Sequence, residues 1–288
     1  LLSDSYLQSA WRIVGGSDSI AQSLANSIRS FGGEIRTDSE VSKILCDSEK
    51  ATSVQLTNGE NIEAKHFITD IHPQKVIQLI DSKLIRPVYR ERVQQMENTV
   101  GNFTLYLKFK ENSVPYLNYN YYYYAEEDVW ASYHSQQAEP QSFLYMHQCT
   151  EDGQEYAQSA EIMLPMNYQE VAKWAGTTTG QRGSEYLEFK QKKAEQVLNL
   201  LGQLFPGISS CIENYESSTP LTYRNYTGTT NGSTYGILHD KNAPELTSVS
   251  QRTKIPNLIM TGQNIHWHGM LGVTVSAMLA SKQLTVDS

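Results

Sequence analysis

Between Ser17 and Phe31 apolar residues recur at Ile20, Leu24, Ile28 and Phe31, at spacings of four, four and three, which gathers them on one face of a helix. Ser17 or Asp18 can cap its start by accepting a backbone N–H, and Gly32-Gly33 supplies the left-handed residue on which helices stop. The period then falls to two. EIRTDSEVSKILCD and SVQLTNGENIEAKHFITD predict short strands, with Asn58-Gly59 as a hairpin turn because that pair tolerates positive φ at both positions. From Pro73 the pattern changes, and a second lobe is expected to start there. Helices are predicted over 73–81 and 86–97, followed by a strand, NFTLYLKF, whose Phe103, Leu105, Leu107 and Phe109 share one face. YLNYNYYYYAEEDVWASY, SFLYMHQC and AEIMLPM predict further strands of the same sheet. Residues 184–204 carry the longest helical pattern, stopped by Pro206-Gly207. The Gly-, Thr-, Asn- and Tyr-rich stretch after Cys211 reads as a strand followed by an ordered loop.

The chain ends in its opening style. NLIMTG is an apolar strand closed by Gly262, and Gly269 to Ala280 predicts a helix of small residues. No repeat or low-complexity linker separates the lobes, so the two ends read as one domain, residues 1–71 with 255–288, interrupted by a mixed-sheet domain over 72–254. The fold class is α/β (α+β).

Composition narrows the function. A net charge of -8 over 288 residues offers no basic patch for phosphate backbones, which excludes nucleic acid as a partner. Cys46, Cys149 and Cys211 are too few and too scattered for a disulfide framework or a thiolate metal site, so a reducing compartment is expected and a metal is not. No stretch of eighteen apolar residues occurs, which points to a cytoplasmic protein or one that touches a membrane from outside. No Gly-x-Ser-x-Gly elbow or thiol-enzyme signature supports a hydrolase.

The closing segment is where chemistry concentrates. A helix start presents unpaired N–H groups and partial positive charge, and Gly262, Gly269 and Gly272 let a flat or extended ligand approach the backbone. These are the needs of a dinucleotide, although a plain strand-loop-helix has the same outline. His266 and His268 alternate on the loop; with no third ligand suggested nearby they are candidate proton donors to a substrate carbon rather than metal ligands. The tyrosines from Tyr116 to Tyr124, with Tyr133, read as sheet with one face in the core, the lining of an apolar tunnel being the alternative.

Three segments together resemble the FAD-dependent oxidoreductases that include phytoene desaturases, carotenoid isomerases and all-trans-retinol 13,14-reductases. They are GGSDSIAQSLANSIRSFGGEIRTDSEVSKIL, TPLTYRNYTGTTNGSTYG and LIMTGQNIHWHGMLGVTVSAMLAS. The likeness covers nearly the whole chain but only the C-terminal portion of such an enzyme. His266-Trp267-His268, in place of a longer Pro/Gly-rich loop, brings the chain nearest the retinol reductase branch. The resemblance implies a flavoprotein fold binding FAD. Val41 would lie beside the adenine, Gly262, Gln263 and Asn264 near the pyrophosphate and ribityl chain, and Gly269, Leu271 and Gly272 at the flavin. Thr219, Pro220, Tyr235 and Trp267 would face a lipophilic, polyene-like substrate whose carbon-carbon double bonds are saturated, desaturated or isomerised. A lipid-binding escort protein on the same scaffold and an amine-oxidising flavoenzyme are the rivals. No Gly-x-Gly-x-x-Gly turn occurs in the sequence. The N-terminal Rossmann half, expected on a missing segment of the same chain, is therefore the partner this part needs, and alone it is expected to bind FAD weakly or not at all.

Overall fold

The computed structural model describes residues 10–130 and 140–286, so Tyr133 lies outside the described residues. In chain order the main elements are α1 (Asp18–Ser30), β1 (Val41–Cys46), β2 (Ala51–Leu56), β3 (Asn61–Glu63), β4 (Phe67–Thr69), α2 (Pro73–Leu79), α3 (Pro87–Gln94), β5 (Gly101–Phe109), β6 (Tyr121–Tyr124), β7 (Ser142–His147), β8 (Ser159–Met166), α4 (Ser184–Leu204), β9 (Ile212–Ser218), α5 (Pro220–Thr227), β10 (Leu258–Met260) and α6 (Gly269–Val286). None of the described helices is long and apolar enough to cross a membrane.

Packing divides the described residues into two units. The first combines Arg36–Thr99 with residues 226–286; the second combines residues 10–35 with the described part of Val100–Asn225. These lines differ from the expected breaks at 71/72 and 254/255. α2 is the physical reason: Val76, Ile77 and Ile80 are buried in one cluster with Ile44, Ala51 and Phe67 on one side of the sequence and Ile237, Val249, Leu258 and Met260 on the other. Burial of that shared apolar surface holds Pro73–Leu79 and the stretch from Tyr226 in the first unit.

The first unit has two small sheets. β1, β2 and β3 form an antiparallel meander, and β10 lies parallel to β4, with Leu258, Ile259 and Met260 opposite Phe67, Ile68 and Thr69. Between β2 and β3, Gly59 alone takes positive φ (+90°), so the Asn58-Gly59 turn is not the doubly left-handed form expected. Leu56 N donates to Glu60 O at 2.8 Å and Gly59 N to Leu56 O at 3.0 Å, which makes Gly59 the extra residue of a glycine bulge. Asn58 contributes through its side chain, whose Oδ1 accepts from Glu60 N at 2.9 Å.

The second unit is built on a five-stranded antiparallel sheet in the order β6-β7-β8-β5-β9. Phe103, Leu105, Leu107 and Phe109 of β5 are all buried, with Phe143 and Tyr145 of β7, Ile162 and Leu164 of β8, and Ala194, Val197 and Leu201 of α4. The tyrosines of β6 alternate: Tyr121 and Tyr123 pack inward, edge-on to Phe205 at 5.1 Å and stacked on Phe143 at 5.2 Å, while Tyr122 and Tyr124 are exposed. Where a loop was expected after β9, the chain forms α5. Thr219 caps it, its Oγ1 accepting from Leu221 N at 3.2 Å, and Pro220 fits the first turn because its missing N–H would have had no acceptor there.

α1 also belongs to this unit and stops as expected, with Gly32 at φ +80° and Gly33 N donating to Ile28 O at 2.9 Å. Its start differs. Ser17 takes helical dihedrals and makes no side-chain cap, and Ser19 Oγ instead donates to Gly16 O at 2.8 Å. Its apolar face is open: no residue of α1 is buried, and Leu24 is 61% exposed.

Candidate functional site

The strand-loop-helix is formed within the first unit. Beyond Met260 the pairing of β10 continues for one bond, Thr261 N to Thr69 O at 2.8 Å, and Gly262 then turns the chain with φ +93°. A Cβ on Gly262 would lie 3.3 Å from Asp70 O, so both the turn and the close backbone favour glycine. Residues 263–268 form the loop, and α6 begins at Gly269, also at positive φ. Its first-turn N–H groups have no acceptor within the helix, and Met270 and Leu271 beside them are exposed.

Each loop residue has a defined place. Gln263 Nε2 donates to Thr234 O at 3.3 Å. Asn264 is buried and its Oδ1 accepts from Ile237 N at 3.0 Å, which engages the oxygen within the protein. Gly236, at φ +75°, leaves room for that carboxamide; a Cβ there would fall 1.8 Å from Asn264 Oδ1. Trp267 is partly exposed, and its carbonyl is what makes Gly272 necessary, since a Cβ on Gly272 would meet Trp267 O at 2.3 Å. The nearest neighbour of Gly272 is thus the loop backbone. The rings of Tyr235 and His268 lie 4.4 Å apart, bringing together a residue of the Thr-Pro to Tyr-Gly segment and one of the closing segment.

His266 is joined to α6 and to the end of β10 through one hydroxyl. Ser276, fully buried, has its Oγ 3.0 Å from His266 Nδ1, 3.0 Å from Thr261 Oγ1 and 3.1 Å from Gly262 N, while its carbonyl accepts from Gln251 Nε2 at 3.0 Å. Burial holds the His266 pKa below the ordinary imidazole value, so the ring is neutral near pH 7. Sequence reasoning missed Ser276, one of several hydroxyls in α6 and not marked out by the sequence pattern. Two more hydroxyls, Ser233 Oγ and Thr234 Oγ1, are buried with no partner among the described residues. Such groups cost free energy unless something satisfies them. The start of α6, with Gly262 and Gly269 beside it, offers backbone N–H groups to a polar ligand.

The remaining expected residues lie elsewhere. Val41 opens β1 opposite Leu56, three residues before Ile44, which shares the core with Ile265. Thr219 and Pro220 are buried in the second unit, where Thr219 Oγ1 also pairs with Tyr186 Oη at 2.8 Å. Among the described residues no three His, Cys, Asp or Glu side chains gather as a metal site.

Known proteins are similar to this chain over most of its length. The chain is 24% identical to all-trans-retinol 13,14-reductase of Rattus norvegicus over 99% of its own length and 51% of that protein. It is likewise 24% identical to the chloroplastic prolycopene isomerase of Daucus carota, over 95% of its length and 44% of the isomerase. Among solved structures, an oxidoreductase from Methanosarcina mazei superposes with a TM-score of 0.59 at 15% identity, over 93% of this chain and 55% of the other. Putrescine oxidase bound to putrescine gives 0.60 at 12%, over 96% and 53%. The chain therefore spans about half the length of the relatives it matches and has the fold of an FAD-dependent oxidoreductase over that span. Residues 3–285 match the profile of the flavin containing amine oxidoreductases, and the chain belongs to that family.

Proposed function

We propose that this chain forms one wall of the FAD site, and much of the substrate-binding part, of an oxidoreductase acting on carbon-carbon double bonds of a lipophilic polyene. The carrying observation is the loop between β10 and α6 with its open helix start, in a chain whose residues 3–285 match the flavin-family profile. The relatives' names, retinol 13,14-reductase and prolycopene isomerase, supply the substrate class.

On this reading Val41, Gly262, Gln263, Asn264, Gly269, Leu271 and Gly272 hold FAD, in a cofactor-binding part drawn from residues 1–71 and 255–288. Of the substrate-facing candidates, mainly within 72–254, Tyr235 and Trp267 meet the substrate, while Thr219 and Pro220, buried in the second unit, shape that unit from within. Bound FAD would supply the hydride chemistry that no side chain here provides. The chain's own residues orient the substrate, keep water out with the apolar side chains of α6, and exchange a proton at His266 or His268. We place the enzyme in the cytoplasm or at a membrane surface, the second being where a lipophilic substrate collects. No Gly-x-Gly-x-x-Gly turn occurs in the sequence, so the pyrophosphate cradle is assigned to a Rossmann segment outside it.

The test is flavin binding followed by turnover. The 288-residue chain alone is expected to purify colourless and to leave FAD fluorescence unquenched, whereas joined to a Rossmann half it should turn yellow and convert a retinoid or carotenoid, read by chromatography. A yellow protein from this chain alone overturns the assignment of the cradle. A joined, flavin-loaded protein that oxidises amines and leaves polyenes untouched overturns the substrate class.

A further inference from the structure

We infer that Ser276 is a positioning residue that donates its hydroxyl proton to His266 Nδ1, holding the ring as the Nε2–H tautomer, a proton donor directed away from α6. The inference rests on the proposed function only for what that N–H serves; the tautomer stands on the geometry. A serine hydroxyl has one proton to give and two lone pairs to receive with. Three groups compete for the Ser276 hydroxyl. Gly262 N, at 3.1 Å, is a backbone amide and can only donate. Thr261 Oγ1 and His266 Nδ1, each at 3.0 Å, can in principle do either.

Counting protons decides between the two remaining arrangements. If Ser276 donates to Thr261, His266 Nδ1 must carry a proton, and the Thr261 hydroxyl proton is left with no acceptor in the cluster. If Ser276 donates to His266, the protons of Gly262 N, Thr261 Oγ1 and Ser276 Oγ are all used and both serine lone pairs are filled. Ser276 is fully buried, so its three bonds are made within the cluster in either case, and the arrangement that also uses the Thr261 proton there is favoured. The Gly262 amide then serves as the clamp that keeps the serine oxygen facing the ring.

Nitrogen-15 NMR on the histidine-labelled chain tests this without FAD or turnover. His266 is assigned by the signal missing in His266→Gln. The expected wild-type pattern is an unprotonated, hydrogen-bonded Nδ1 with a protonated Nε2, in one tautomer. In Ser276→Ala the Nδ1 signal should move to the position of a ring nitrogen without a donor, and an Nδ1–H form should appear. Thr261→Val removes only the proton given to Ser276, so it should leave the His266 signals in place. A wild-type ring protonated on Nδ1 overturns the inference even if the variants fail to fold. An Nδ1 signal identical in wild type and Ser276→Ala overturns it as well, as does a tautomer change in Thr261→Val. Failure of flavin binding or turnover in the joined enzyme bears on the proposed function and leaves these spectra unaffected.

Discussion

The five-stranded sheet of the second unit and the two-stranded parallel sheet of the first solve opposite problems. Around β5, both edges are paired and one face is buried: Gly101–Lys108 pairs with β8, Thr104–Phe109 pairs with β9, and Phe103 and Leu105 are fully buried. β4 and β10 pair with each other over three residues, and beyond that β10 carries only an isolated bridge, Ile259 with Arg252. Parallel strands are ordinarily found in larger sheets covered on both faces, yet Ile68 of β4 is half exposed and Met270, Leu271, Val273, Met278 and Leu279 of α6 are exposed. The first design closes within this chain. The second leaves apolar surface and one strand edge uncovered among the described residues.

The largest expected effect is in the closed region. Phe103→Ala removes a fully buried ring shared by β5, β7 and α4 and should cost about 3–5 kcal/mol in urea unfolding, the usual range for such a cavity. A loss below ~1 kcal/mol would mean that this core is not what holds the second unit.

Next comes pH, through a histidine of the same sheet. His147 is buried at the end of β7. Its Nε2 pairs with Tyr145 Oη at 2.6 Å, Nδ1 accepts from Leu117 N at 3.0 Å, and the Arg12 side chain donates to its carbonyl. Burial, aided by the Arg12 charge, lowers its pKa to about 4. The folded protein then binds fewer protons than the unfolded chain between about pH 4 and the unfolded value near 6.5. Stability from this group is therefore present above about pH 6.5 and lost as pH falls toward 4, by roughly 2–3 kcal/mol. The urea midpoint of wild type should drop more steeply from pH 7 to 4.5 than that of His147→Gln. Parallel curves would sink the assignment.

In the first unit the tight point is Gly236. Alanine there combines positive φ with a Cβ placed on Asn264 Oδ1, so the bond from Ile237 N is lost or displaced. About 1–3 kcal/mol of destabilisation is expected. The amide signals of residues 263–268 should shift in the same variant. Stability loss without those shifts would detach Gly236 from the candidate site.

What the sequence revealed follows this division. β5 was readable because its alternation and its burial are the same fact, and α4 because its pattern ends at Pro206-Gly207. α5 was hidden because its start signal, Thr219-Pro220, also reads as a turn. The glycines of the closing segment were recognised, but part of their purpose was not, since Gly272 accommodates Trp267 O five positions away; Gly236, outside that segment, was not singled out, and it accommodates Asn264 28 positions away. Ser276 escaped for the same reason, since its role depends on where Gly262 and His266 fall in space. Packing of α2 with Ile237 and Leu258 likewise joins stretches far apart in sequence, and hydrophobic periodicity shows only that a face is apolar, never what covers it.

The smallest expected effect bears most directly on that last point. The sequence gathers apolar residues on one face of α1, yet Leu24 and Phe31 are exposed, Phe31 at 91%. If nothing in this chain covers the face, Leu24→Ser removes almost no buried area, and its cost should stay within about 0.5 kcal/mol, the range of ordinary surface changes. Solubility should rise because an exposed apolar patch is reduced. A loss above ~1.5 kcal/mol in the isolated chain would mean that some segment buries this face in solution. A small loss in the chain alone that grows once the chain is joined to a Rossmann half would show that the face is kept apolar for a layer supplied from outside these 288 residues.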